Sequence, residues 1–565
     1  SRQPYGRLQR SGGKRTTDGR SIAISAGERS TVHSLCTSGA LRSPDAGEAH
    51  KAADRLSRRA SRSRAIYMPP GKSLTEMQNY PHVDLNAIAW AAMDQYGFIP
   101  AFPAPVVREV GALAAKVIPG TPGDPCDLRS LLWSSIDNHD SRDLDQIEVC
   151  EERPNGEIRV RVAIADVDLY VPKGSETDRH AGHNGTSVYT GVETFPMLPD
   201  RLSAGLTSLL PGQDHMAIVI EYTVLPDGST RPGDIYRAIV RNRAKLVYEE
   251  VGDWLEGTAP IPRTVGETPG LAEQVLLQHE AAMRMKKRRT EQGALALETI
   301  EAEPVVADGR VLGLVVQQQN LARCLIEEFM VAANGSITAF LGDAGLPMIH
   351  RVVRTPKNWD GIVREAAEHG EALPATPDAE ALTRFLIRQK AADPDRFPDL
   401  SLTVVKLMGA GEYVAFRPGD EPVGHFALAV TDYTHGTAPN RRYVDLIIQR
   451  LIKSVIDGGR YPPYAPSELD DLALRMTDRE KASQKVERFV RKAAAAVLLR
   501  DRIGDSFAAF VTGASEKGTY VRLIDPPAEG RVVLGEGGLR VGQRVRVRLM
   551  ATDPYRGFID FEHTE

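Results

Sequence analysis

KVERFVRKAAAAVLLRDRIG, residues 485–504, sets Val486, Phe489, Val490 and the alanine run at three- and four-residue steps, the spacing of an amphipathic helix. Directly beyond it the apolar period drops to two, in FAAFVTG (507–513), TYVRLI (519–524), GRVVL (530–534), QRVRVRLM (543–550) and GFIDFE (557–562). Five short alternating runs within residues 505–565 predict a small five-stranded β-barrel of the OB type. In QRVRVRLM the arginines alternate with apolar residues, so Arg544, Arg546 and Arg548 share one face while the other fills the barrel. Phe507, Phe510, Tyr520, Tyr555, Phe558 and Phe561 stand nearby with Arg522 and Arg531; half of these aromatics are expected in the core. The remainder, beside a basic face, suit the stacking of a single-stranded nucleic acid.

Upstream, residues 129–504 mix strand-like runs (RVRVAIADVDLYV, MAIVIEYTVL, YRAIVRNRAKL, SLTVVKLM) with helical stretches such as LARCLIEEFMVAANGSITAFL and RRYVDLIIQRLIKSVI. The expected fold class is α+β, with a large mixed α/β unit ahead of the barrel. Residues 68–128 read as a small helical domain: LNAIAWAAMDQYGF and APVVREVGALAAKV, divided by FIPAFPAP and closed by the linker KVIPGTPGDPCD. Two short helices about a turn fit either a helix-turn-helix or a cap packed on the next domain. Residues 1–67, rich in Ser, Gly and Arg with no apolar period, are expected not to fold. They read as a tail, or as sequence upstream of a start at Met68, in preference to an RNA-binding arm.

At 565 residues the chain has room for three to five domains, and 42% hydrophobic with 26% charged residues is an ordinary globular composition. No run approaches the ~18 continuous apolar residues of a membrane span. Cys36, Cys126, Cys150 and Cys324 form no CxxC pair, so a reducing, cytoplasmic setting is expected, and the N-terminus lacks the apolar segment of a secretory signal. Residues 1–67 carry a local charge of +9, which leaves −14 for the rest of a chain whose net charge is −5. An acidic body excludes a bulk electrostatic nucleic-acid binder; any nucleic-acid path must be a local groove.

Chemistry concentrates in two stretches. SIDNHDSRDLDQIEV (135–149) holds Asp137, Asp140, Asp143, Asp145 and Glu148. Asp143 and Asp145 face one side of an extended segment, and a turn in NHDSR brings Asp137 beside them, a set of oxygens suited to a hard divalent cation. Alone, such a cluster is more often a solvated loop. An EF-hand does not fit, because Arg142 stands where that loop needs glycine. DYTHGTAPNRRYVDLIIQR (432–450) sets Thr437 to Asn440 as caps of a helix beginning near Arg441, with Arg441 and Arg442 in its first turn; a phosphate site and an ordinary charged helix start are equally consistent with it. His180, His183, His350, His425 and His435 lack the partners of a zinc centre and read as structural or RNA-contacting.

These two stretches, with VAIADVDLYV, GTSVYTG, PMLPDRLSAGLTSLLPG, KLVYEEVGDWLE and LIEEFMVAAN between them in order, resemble the RNase II (RNB) family of processive 3'-to-5' exoribonucleases. The likeness covers about residues 129 to 500, and the barrel beyond resembles the S1-type domain that closes such enzymes. It implies an RNB-type catalytic domain that hydrolyses single-stranded RNA to nucleoside 5'-monophosphates with two Mg2+ ions. By the same resemblance, Asp137, Asp143 and Asp145 hold metal, Arg441 grips the scissile phosphate with Arg442 in support, and Tyr189 stacks on the terminal base. Tyr248, Glu327 and Glu328 match residues that position the terminal nucleotide, and Glu487 falls at a late acidic position. RNA is the implied partner of a monomer with no membrane attachment, and Arg546 and Arg548 belong to its remote holding surface.

The chain departs from the family in three places. Gln146 replaces the second aspartate of a pair, so one metal is expected to bind more weakly, through an amide oxygen or a bound water. Leu297, in GALALE, replaces an aromatic that would complete the stack on the terminal bases. The two cold-shock barrels that usually precede the catalytic domain are missing from the pattern. A non-catalytic RNA-binding protein on the same fold is the competing reading.

Overall fold

In the computed structural model, which describes residues 83–113 and 125–564 apart from 299, 301, 308, 317, 395, 460, 461, 516 and 517, the β-rich runs of the first half build one seven-stranded sheet. The expectations for residues 1–67, Met68 and most of the linker lie outside the described residues. In spatial order the strands are Cys126–Asp127, Thr230–Arg241, Asp214–Val224, Ile158–Ala165, Gln146–Glu152, Ser134–Asp137 and Ala244–Val247. The inner pairings are antiparallel and the outermost one on each side is parallel. Ile158–Ala165 alternates buried and half-buried residues at its start but is wholly buried from Val162 onward.

Pairing fixes where the chemistry goes. Asp137 lies opposite Val247 in a parallel pair, so both strands deliver their next residues, including Tyr248, to the same end of the sheet. The antiparallel strand Gln146–Glu152 starts from that end, which returns the loop carrying Asp143 and Asp145 to it. The 23-residue helix Leu321–Asp343 crosses the sheet against Asp214–Val224 and Thr230–Arg241 and packs on helices Tyr248–Leu255, Leu271–Glu291 and Tyr443–Ile456. By length and mean hydropathy it could cross a membrane, although its apolar run is broken by charged residues. Its apolar window is 67% buried inside the fold, so it is the central core helix.

The last five strands close into a barrel in the order Ser506–Ser515, Gly518–Leu523, Glu529–Leu534, Phe558–His563, Arg544–Asp553. Val545 and Val547 are buried and Arg544, Arg546 and Arg548 exposed, as the alternation requires. Phe507 and Phe561 are core, whereas Tyr520, Tyr555 and Phe558 are exposed. Arg522 departs from the expected basic surface: it is buried in an ion pair with Asp399 at 2.5 Å, tying the barrel to helix Phe397–Met408. That helix contains SLTVVKLM, which the β-branched residues suggest is a strand. Pro398 near its start and Phe397, Leu400 and Val404 on one buried face make it helical instead.

The 34-residue helix Pro466–Leu499 is the spine. Its Val486 and Val490 join one apolar cluster with Ala89, Met93, Val188 and Phe195. Its last turns, Ala493 to Leu499, join another with Leu85, Ile88 and the barrel core. Helix Leu85–Gln95 therefore lies across the spine, while Val106 and Val110 of helix Ala104–Gly111 enter the main core. The two N-terminal helices bury their faces in different clusters.

Candidate active site

A carboxylate buried without a full set of donors marks the centre. Asp145 is 1% exposed. Its Oδ1 accepts the Asn440 backbone N–H at 2.9 Å, and its Oδ2, also buried, accepts no hydrogen bond among the described residues. The Arg441 guanidinium faces that oxygen, with Nε 3.4 Å away, and 41% of the Arg441 side chain is exposed. Burial pushes the Asp145 carboxyl up to about 7, against the pull of Arg441 and the Asn440 N–H and with the repulsion of Asp143 and Asp445. Asp143 is raised as well, by burial first; Arg441 opposes the shift and Asp137 adds to it. The Tyr189 hydroxyl donates to Asp143 Oδ2 at 3.2 Å. Asp137 takes the Asn138 N–H and the Ser141 hydroxyl on Oδ1 alone, each at 2.7 Å.

Asp137 repels Asp143 and Asp143 repels Asp145, and one buried oxygen is orphaned, a donor chemistry suited to a hard divalent cation; as they stand, however, no three acidic, His or Cys side chains among the described residues converge closely enough to hold one. Gln146 is buried at the first position of its strand, and successive residues of an extended segment point to opposite faces, so its amide does not share the direction of Asp145.

The two arginines divide into different roles. Helix Tyr443–Ile456 starts two residues later than the sequence suggests, so Arg441 and Arg442 occupy the turn before it. Arg442 is locked in a fork on Asp445, with Nε to Oδ2 at 2.8 Å and Nη2 to Oδ1 at 2.7 Å, and Asp445 Oδ1 also accepts the Ala438 N–H. Arg442 thus fixes the turn, and Arg441 alone faces the carboxylates.

Tyr189 sits 43% exposed on the short hairpin Val188–Tyr189/Thr194–Phe195, and its N–H reaches Glu487 Oε1 at 3.3 Å. Tyr248 opens its helix at the same sheet end as Asp137, and the Arg323 guanidinium lies over its ring, 4.4 Å from the centroid. Arg323 also donates to Asn138 Oδ1 and to Glu249 Oε1, at 3.0 and 3.1 Å. Glu328 is held from both oxygens by Arg289, at 2.8 and 2.7 Å, and Glu327 stands 3.5 Å from the same guanidinium. These two glutamates make no contact with the three aspartates among the described residues. Leu297 packs on the helical core around Trp359 and Phe385. Arg546 and Arg548 stay on the barrel, Arg548 paired with Glu562. Arg323, Arg289 and Asn440 escape sequence reasoning; only Asn440, next to Arg441 in a capping stretch, carried a local signal.

Two family descriptions match the chain: the RNB domain over residues 126–458 and the RNase II-type exonuclease C-terminal S1 domain over 505–564. The class so defined is that of 3'-to-5' exoribonuclease hydrolases. Ribonuclease R of Thermotoga maritima is 28% identical over 81% of this chain and 68% of its own length. Ribonuclease R of Escherichia coli is 30% identical over 81% of this chain and 60% of its own length. Mycoplasma genitalium RNase R, solved in complex with ribose-methylated single-stranded RNA, superimposes with a TM-score of 0.77 over 85% of this chain and 78% of its own, at 22% identity. Yeast Ssd1, a pseudonuclease, shares the fold with a TM-score of 0.57 at 18% identity, over 72% of this chain and 50% of its own. The chain belongs to the RNB family.

Proposed function

We propose that this protein removes nucleoside 5'-monophosphates from the 3' end of single-stranded RNA in a Mg2+-dependent reaction, as a monomer engaged in cytoplasmic RNA turnover. The observation that carries the reading is the orphaned Asp145 Oδ2 in ion-pair reach of a partly exposed Arg441 at 3.4 Å, a carboxylate and a cation side by side, so that a metal on the one and a phosphate on the other would be neighbours once the guanidinium swings out to solvent. Asp137, Asp143 and Asp145 would hold the ions; Gln146, uncharged and turned to the opposite face from Asp145, would add no carboxylate to them. Bound Mg2+ supplies Lewis acidity and a water of lowered pKa. Arg441 grips the scissile phosphate, a task its exposure permits and the fork on Asp445 denies to Arg442. Tyr189 offers its exposed ring to the terminal base, Tyr248 is oriented for the same nucleotide by Arg323, and Glu328 is oriented by Arg289. The barrel arginines track the strand further out.

The competing reading, RNA binding without cleavage, draws support from Gln146 and from the likeness to a pseudonuclease. Incubating the purified chain with 5'-labelled single-stranded RNA, with and without Mg2+, separates the two. Stepwise shortening with release of 5'-monophosphates only with the metal is expected. Intact RNA that is nonetheless bound would establish the competing reading.

A further inference from the structure

The hairpin that carries Tyr189 has only two residues in each strand, and so short a pair is not stable by itself. Its support comes from a helix about a hundred residues earlier, at the start of the described sequence. The Trp90 indole N–H, from helix Leu85–Gln95, donates to Glu193 Oε2 at 2.9 Å, and its ring meets Phe195 edge-on, 5.5 Å between centroids. Phe195 pairs in register with Val188, and Thr194 with Tyr189, so a residue fixed at 193–195 fixes Tyr189 across the ladder. On its other face the same helix inserts Ala89 and Met93 between the spine and Val188. Asn184 anchors the segment that follows, accepting the Ile99 N–H and donating to the Ile99 carbonyl, both at 3.0 Å.

We propose that Trp90 is a positioning residue for the RNA 3' end: it holds Tyr189 on Asp143 by bracing the hairpin. Nothing else in the chain's sequence suggests a role for this tryptophan, 39% exposed on a short helix. The proposal rests on the reading of Tyr189 as the base-stacking residue. The brace gives this chain a fixed inner wall for the terminal base.

The test uses the full chain with Trp90→Phe, which keeps a ring but loses the donor, Trp90→Ala, Glu193→Ala, Glu193→Gln, and Tyr189→Ala alone and combined with Trp90→Ala. KM for single-stranded RNA and the length of the shortest undigested fragment are measured, with circular dichroism as the check on folding. Trp90→Phe and Glu193→Ala should raise KM about three- to tenfold, the worth of one hydrogen bond, with kcat little changed and a shifted end product. Glu193→Gln, which keeps an acceptor, should restore the native values. Trp90→Ala should add nothing once Tyr189 is already alanine. Unchanged KM and end product in Trp90→Phe and Glu193→Ala, where Tyr189→Ala alters both, would overturn the brace. A full additive effect in the double variant would overturn it too, since Trp90 would then touch RNA directly. If Tyr189→Ala itself changes neither quantity, the stacking role of Tyr189 fails, and the brace with it.

Discussion

Aspartates and basic residues meet in two places on either side of helix Tyr443–Ile456, and their satisfaction differs completely. Behind the helix, Arg450 is 4% exposed and donates to Asp168 at 2.8 Å, to the Tyr464 hydroxyl at 2.7 Å and to the Val171 carbonyl at 2.6 Å, with Asp178 also 2.8 Å away. Lys453 spans Asp166 and Asp168 at 2.8 and 2.9 Å. In front of it, Asp145 has one backbone donor, a more distant arginine and one oxygen with no donor at all. Residue type does not separate structure from site; the number of donors left over does. A saturated network holds the helix, and the unsaturated one is free to bind.

The largest expected effect breaks the unsaturated side. Asp145→Asn should slow single-turnover hydrolysis by at least about 10³-fold, the several kcal/mol of metal-assisted charge stabilisation, while leaving RNA affinity nearly intact. Rates near native would refute the metal assignment. On the saturated side, Arg450→Met removes the buried guanidinium shared by Asp168, Asp178, Tyr464 and the Val171 carbonyl, of which Asp168 keeps Lys453 and Asp178 keeps the Tyr443 hydroxyl, and should cost about 3–5 kcal/mol of folding stability, read from denaturant unfolding. A change below about 1 kcal/mol would show that the network is replaceable.

A third experiment reads acid lability beside that network. His180 shares a helix with Asp178, and burial depresses its pKa from 6.5 to about 4, with His183 adding to the shift. The unfolded chain therefore takes up a proton that the native one refuses. Stability contributed by neutral His180 is full above pH 6.5 and is lost as pH falls toward about 4, to roughly 3 kcal/mol. His180→Gln should flatten the pH dependence of unfolding in that window by this amount, and an unaltered slope would count against a buried neutral ring. The smallest effect lies on the barrel. Truncating the barrel would uncover Ala493 to Leu499 and strand Asp399, so a point change is cleaner. Arg546→Ala should flatten the log-log salt dependence of RNA binding by about 0.7, one phosphate contact, without altering the chemistry on bound RNA. No change in slope would remove Arg546 from the RNA path.

Much of this was legible in the sequence because it follows from local spacing. The period-two runs specify the barrel strands, and the two-residue step from Asp143 to Asp145 puts the carboxylates at one end of a strand. What escaped was set by partners far along the chain. Asn138 meets Arg323, Glu328 meets Arg289, and Asp145 meets Asn440, 295 residues away. No local pattern records such pairs. Arg442 was legible as a neighbour of the phosphate site, but its fork on Asp445 depends on where the helix starts, and a helix start is fixed by tertiary contacts as much as by its caps. SLTVVKLM went the other way: strand propensity was overridden by an apolar face that packs on Trp359 and Phe385.

Helix Leu85–Gln95 buries Ala89 and Met93 against Val486 and Val490, almost four hundred residues later. During synthesis at ~5–20 residues per second that partner surface emerges on the order of 20 to 80 s after the helix. Through that interval the ribosome carries a nascent chain in which this helix, the first among the described residues, lacks that partner for its apolar side. The hairpin bearing Tyr189 stays loose for the same time. On the reading proposed above, a copy translated only that far lacks the inner wall for the RNA end until the helix Pro466–Leu499 has emerged.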